Sequence, residues 1–174
     1  AGAETGVVTG GVITGGNALY GGGVSVYGTF TMNGGTIAGN RSTGGSMNYG
    51  GGVYVRGTVT MNGGVISGNT AGVHGGGVGV YGTFTMTGGY LDGTINGNTV
   101  SISGGYFAEE FNEAYLAEKC VLQDVSALGG ATFDGDYKDG FPYAVYAQGG
   151  ILISTNKDIV YDGSPVAEGV DFTV

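Results

Sequence analysis

Of the chain's 174 residues 42 are glycine, yet 41% are hydrophobic, which excludes a disordered glycine linker, and glycine does not recur at every third position as a collagen triple helix requires. The net charge of −9 sits at one end: residues 1–105 carry two acids (Glu4, Asp92) and two bases (Arg41, Arg56), residues 106–174 twelve acids and three lysines. Without clustered Lys and Arg no nucleic-acid partner is expected, and without a run of about 18 apolar residues no membrane insertion within this segment.

The first residues lie within a turn of a repeat whose corner is Gly10. From Tyr20 the stretch YGGGVSVYGTFTMNGGTIAGN (20–40) returns as YGGGVYVRGTVTMNGGVISGN (49–69) and HGGGVGVYGTFTMTGGYLDGT (74–94). The Gly-Gly pairs that begin at Gly10, Gly34, Gly63, Gly88 and Gly104 stand 24, 29, 25 and 16 residues apart. Within the first full unit, Val24–Val26, Thr29–Met32 and Thr36–Ala38 alternate with period two, separated by Gly28 and by Asn33-Gly34-Gly35. Period two predicts strands, and the glycines predict sharp corners.

Equivalent positions then form columns: Val24, Val53, Val78; Val26, Val55, Val80; Phe30, Val59, Phe84; Met32, Met61, Met86; Ile37, Ile66, Leu91. Stacked at about 4.8 Å per strand, these columns fill the inside of a parallel β-solenoid. One turn buries too few side chains to offset the ordering of its backbone, so the unit has to be stacked. Length varies at one corner, Arg41 to Tyr49 in one turn and Thr70 to His74 in the next, as exposed loops do. At the fourth interval Thr94 to Asn98 replace the whole first-strand segment, and the solenoid tapers.

After Gly105 the pattern changes. Phe107, Phe111, Ala114 and Tyr115 stand at helical spacing with acids near the start, which predicts a capping helix of two to three turns over 106–120. Short alternating runs follow near Val121 to Val125, Ala131 to Phe133, Tyr143 to Gln148, Ile151 to Ser154 and Ile159 to Tyr161. A cap is expected because the open end of a β-solenoid is a bare sheet edge. The domain division is thus 1–105 repeats, 106–120 capping helix and 121–174 a C-terminal β segment.

Units such as GGGVYVRGTVTMNGGVISGNTA resemble the right-handed parallel β-helix (pectate-lyase-like) repeats of large bacterial surface proteins of the adhesin type, over about residues 8 to 107. SISGGYFAEEFNEAYLAEKC is similar to a unit that closes such arrays, and DIVYDGSPVAEGVDFTV resembles the opening of the Ig-like modules that follow them. The resemblance implies an all-β, right-handed parallel β-helix of about four to five rungs, with a short helix and a small β cap at its C-terminal end. It also implies a secreted or surface-anchored, extracellular protein that acts as a rigid spacer or adhesin toward a host or bacterial glycan or a surface protein. Beginning in mid-turn and stopping in mid-run, the chain reads as part of a longer one.

Residues for chemistry are few. His74, the one histidine, shares a column with Tyr20 and Tyr49 and reads as a corner-stacking residue. Cys120, the one cysteine, reads as a buried apolar residue at the end of the expected helix; neither a nucleophile–base pair nor a zinc set emerges. FDGDYKDG brings Asp134, Asp136 and Asp139 together, but Lys138 and Asp139 stand where a calcium loop wants an oxygen ligand and a glycine, so a polar hairpin turn is expected and no cofactor. Pectate-lyase-like folds host polysaccharide lyases and hydrolases, which need clustered carboxylates or calcium with a base; the repeats offer Asp92 and two separated arginines, so no enzyme is expected.

Two outward columns remain. Thr29/Thr31, Thr58/Thr60 and Thr83/Thr85, continued by Thr99/Ser101, form a T-x-T ladder that suits either an ice-binding face or an ordinary wet strand face. Tyr27, Arg56 and Tyr81, with Tyr54 one row over, form the candidate ligand-binding surface. These side chains either stack on sugars or a protein partner, or stack on one another and stiffen the rod.

Overall fold

The computed structural model describes residues 5–43, 49–126, 140–147, 152–153 and 159–160. It is an all-β parallel solenoid with about three closed turns and partial turns at either end. The first sheet stacks β1 (Thr5–Val8), β5 (Thr29–Met32), β9 (Thr58–Met61), β13 (Thr83–Met86) and β16 (Val100–Ile102). The second stacks β2 (Val12–Thr14), β6 (Thr36–Ala38), β10 (Val65–Ser67), β14 (Tyr90–Leu91) and β17 (Gly105–Phe107). A further sheet holds β4 (Val24–Val26), β8 (Val53–Val55), β12 (Val78–Val80) and β15 (Ile95–Gly97), and forms the face described below. The turn also has a fourth side that period-two reading missed: β3 (Asn17–Ala18), β7 (Arg41–Ser42) and β11 (Thr70–Ala71), each too short to alternate.

The expected columns are the registered pairs of the structure. Phe30 pairs with Val59 and Val59 with Phe84; Met32, Met61 and Met86 pair in the same ladder, and all six are buried. The valine columns pair likewise, as does Ile37–Ile66–Leu91, which Phe107 continues. Because strands are parallel and in register, each interior side chain meets its own equivalent above and below, and one well-packed rung fixes the next.

Two corner columns require glycine. Gly11, Gly35, Gly64 and Gly89 precede the second-sheet strands and Gly105 opens the last of them, with φ of 87°, 85°, 90°, 92° and 109°, a region closed to most side chains. At the corner between β8 and β9 the difficulty is space: a Cβ on Gly57 would lie 1.9 Å from the carbonyl oxygen of Gly28.

One corner is held from inside by asparagines. Asn40 and Asn69 are almost completely buried. Asn69 Oδ1 accepts from the backbone N–H of Asn40 at 2.9 Å and from Asn40 Nδ2 at 3.1 Å, and Asn69 Nδ2 donates to Ile37 O at 2.8 Å. Asn40 repeats the pattern one rung down, accepting from Gly16 N–H at 2.9 Å and donating to Ile13 O at 2.9 Å. The signal was in the sequence, as Gly-Asn at 39–40 and 68–69.

The C-terminal closure differs from the expected helix of two to three turns. Tyr106 and Phe107 extend the second sheet as β17, and the helical element found within 106–120 is a single 3-10 turn, Glu113–Tyr115, with Asn112 Oδ1 accepting from Ala114 N–H at 3.0 Å. The reason lies in the open strand edges, whose N–H and C=O groups need backbone partners, whereas a helix satisfies its own. An extended chain supplies them. β18 (Cys120–Asp124) and β19 (Tyr143–Ala147) pair antiparallel, and β19 pairs antiparallel with β17. Leu116 bridges Ile102 at the edge of β16, with Ala117 N–H donating to Ile102 O at 2.8 Å. Tyr115 Oη accepts from Gly97 N–H at 3.3 Å at the edge of β15. The helical spacing of Phe107 and Phe111 has another cause: the two rings pack 4.5 Å apart over the solenoid's end. Cys120 opens β18 instead of ending a helix, and is half-buried against the core. A short antiparallel pair, β20 (Leu152–Ile153) with β21 (Ile159–Val160), coincides with two of the expected C-terminal runs, while Ala131 to Phe133 and the aspartates of FDGDYKDG lie outside the described residues.

Candidate functional site

The outward face of the β4–β8–β12–β15 sheet gathers Tyr20, Tyr27, Tyr49, Tyr54, His74 and Tyr81 from three turns. Tyr54 points outward from β8 and is registered with Ser25 on one side and Gly79 on the other. A side chain at position 79 would collide with the Gly50 backbone and the Tyr49 side chain; the missing side chain is what admits Tyr49 above β12. On one flank runs the column Tyr20–Tyr49–His74, joined by parallel bridges, with Tyr49 and His74 stacked at 5.3 Å and 25°. His74 is thus the corner-stacking residue its column implied. On the other flank runs Tyr27–Arg56–Tyr81.

The rings touch in a continuous chain. Tyr20 lies 5.0 Å from Tyr54, Tyr54 lies 5.8 Å from Tyr81, and Tyr81 meets Tyr49 edge to face at 4.9 Å and 87°. These spacings and tilts match the edge-on and offset arrangements that aromatic quadrupoles favour. A hydrogen bond to Tyr49, then burial, pushes the Tyr81 phenol up to about 12. Burial raises the Tyr54 phenol as well, and nearby Arg56 opposes the shift.

The sequence-predicted set therefore divides. Tyr27 and Tyr81 are 65% and 59% exposed, and Arg56 is exposed between them with its guanidinium carbon 5.9 Å from the Tyr27 ring centroid. Tyr54, expected to be exposed beside them, is not: it keeps 6% of its surface, because Tyr20 and Tyr81 close over it from neighbouring turns. It works as a floor that orients Tyr81. Sequence reasoning missed the support given by Tyr20 and Tyr49, although the tyrosine beginning each of the first two units was its signal. The stacking and contact readings of the row thus divide by residue: Tyr81 leans on Tyr49 and Tyr54, while the Tyr27 ring meets only Arg56 among the described contacts.

Elsewhere, the threonine ladder is registered as expected. Thr29, Thr58 and Thr83 pair in one column, and Thr31, Thr60, Thr85 and Ser101 in another. Asp92 accepts from Gly68 N–H at 3.1 Å and so braces a corner. Among the described residues no three His, Cys, Asp or Glu side chains cluster as metal ligands, and no helix is long and apolar enough to cross a membrane. Arg41 is exposed on β7, while residues 44–48 of the corner where repeat length varies lie outside those described.

Compared with protein-family models, with curated proteins and with solved structures, the chain matches none.

Proposed function

We propose that the chain is a non-catalytic module of a secreted or cell-surface protein, a stiff spacer that also adheres to a glycan or a surface protein through the ridge Tyr27–Arg56–Tyr81. One observation carries the adhesive half: two exposed rings flank an exposed guanidinium on a face whose other rings are tucked against one another. Identical columns beneath that face support the spacer half, since a rung packed against its own copies resists bending. Surface placement is supported by the likeness of the repeats to those of bacterial surface proteins.

Arrays of glycans and surface proteins probed with this chain test the reading. Replacing Tyr27, Arg56 and Tyr81 together by serine should abolish binding and lower the melting temperature only modestly, by the contacts of Tyr81 with Tyr49 and Tyr54. A much lower melting temperature would make the row a structural ladder, and full affinity would move the contact surface elsewhere. Non-catalytic character is tested on pectin, alginate and host glycans with and without calcium, where no reducing ends or unsaturated products are expected. Turnover lost in Asp92→Asn would overturn it.

A second reading has its own observation. The registered threonine columns present hydroxyl and methyl groups at about 4.8 Å between rungs, a regular array suited to ordering water at an ice surface. Inhibition of ice recrystallisation that disappears in Thr60→Arg would establish that reading instead.

A further inference from the structure

The exposed row is longer than the three residues named so far. The N–H groups of Arg56 and Tyr81 donate to Val26 O and Val55 O at 2.8 and 2.7 Å, which carries the sheet's register out to the row. Gly97 is the registered partner of Val80, so Asn98, which follows it, stands next after Tyr81, and it is exposed. Across four rungs the row reads ring, guanidinium, ring, amide, at steps of about 4.8 Å.

Each member has a distinct use. An exposed tyrosine face accepts the C–H face of a neutral pyranose. A guanidinium offers a planar fork for a carboxylate, and among the described residues Arg56 makes no ion pair to occupy that fork, its one ring contact being Tyr27. Asn98 supplies amide donors. The acids that give the chain its negative charge begin beyond Tyr106, with Asp92 the one acid among described residues of the repeats, and a Debye length of about 8 Å at physiological salt limits their reach.

We infer that this row binds a linear glycan in which carboxylated and neutral pyranoses alternate, laid along the solenoid with about one sugar per rung. Neutral sugars sit on Tyr27 and Tyr81, a carboxylate pairs with Arg56, and the next carboxylated sugar reaches Asn98. The inference rests on the ridge being the contact surface. An acidic peptide fits less well, because a peptide strand binds by completing a ladder at a sheet edge. This row stands on a sheet face whose backbone groups are already paired between rungs.

Calorimetric titration of the intact chain tests it, with octasaccharides of hyaluronan and of unsulfated chondroitin, the same oligosaccharides after carboxyl reduction, and a glutamate octapeptide. Saturable binding of at least one native octasaccharide is expected, weakened about tenfold by carboxyl reduction and about tenfold by Arg56→Gln. Asn98→Ala should cost about threefold. Arg56→Gln should not weaken binding of the reduced sugar further, since the carboxylate it serves is gone. Equal binding of native and reduced sugars, with loss in the triple serine variant, overturns the alternating-acid inference and leaves the ridge as a neutral-glycan surface. Native binding that survives the triple variant overturns both readings. Absence of binding to both native octasaccharides, or tighter binding of the glutamate peptide, overturns the inference alone.

Discussion

Asn69 serves two rungs at once: it donates to the carbonyl of Ile37 and accepts from the backbone and amide of Asn40. Asn69→Ala would leave a buried carbonyl and a buried N–H without partners, at a cost of about 2–4 kcal/mol; urea denaturation measures it. Val55, fully buried between Val26 and Val80, has no polar neighbour in its column. Val55→Asp should unfold or aggregate the protein at pH 7, an unpaired interior carboxylate costing several kcal/mol. Partial recovery near pH 4 is expected as the carboxyl takes up its proton, because burial favours the neutral form. Near-native stability at pH 7 would mean that the side chain points outward. Tyr81 supplies an alkaline signature. Its phenol is raised to about 12 in the fold, chiefly by the hydrogen bond with Tyr49, against about 10 in an unfolded chain. A raised value means that the unfolded chain loses its proton first. The contribution of the Tyr49–Tyr81 contact is therefore whole below pH 10 and is lost as pH rises toward 12. Absorbance at 295 nm should show a late-ionising tyrosine that ionises earlier in Tyr49→Phe.

At the scale of elements, the informative one is β19. It lies between β17 and β18, so each of its backbone N–H groups faces one partner or the other. Ala144→Pro removes a ladder donor and forces the ring into a strand flanked on both sides, which should cost about 3 kcal/mol or more. The consequence reaches past stability, because β17 would be left as a bare parallel edge. Light scattering that rises with protein concentration should accompany the loss. A variant that stays monomeric and melts as the parent does would show that β17 is covered by something other than β19. The same edge argument accounts for the absence of a longer helix at 106–120. The acids and the i, i+4 apolar residues suit a helix locally, but a helix has no free backbone groups to offer three strand ends.

For the molecule as a whole, the solenoid grows in one dimension and its stability is the sum of rungs and rung–rung interfaces. Residues 49–73 make one complete turn, from Tyr49 to the residue before its equivalent His74. Inserting a second copy after Val73 should fold in register, add one more rung to each interior column and raise the melting temperature. A drop on insertion would indicate that the turns carrying Tyr20, Tyr49 and His74 are tuned to one another through their rings and are not interchangeable. Charge is also a property of the whole chain. With a sequence pI near 4.1, solubility should pass through a minimum close to that pH, where self-repulsion vanishes.

The repeat alone determined the interior. When turns stack in register, the neighbours of Phe30, Met32 or Ile37 are their own equivalents one unit away, so aligning the units is already aligning the contacts, and alternation decides which residues face in. Glycine corners were legible for the same reason. Only the tertiary structure decided what depends on neighbours that are not equivalents. Tyr54 follows the outward phase of its strand and is nonetheless buried, because Tyr20 and Tyr81 reach it from other positions of other turns and Gly79 leaves room for the crowding. The C-terminal closure likewise followed from which backbone groups the last rung leaves unpaired. A propensity pattern carries no record of that, because the partners that satisfy those groups lie as far along the chain as Tyr143–Ala147.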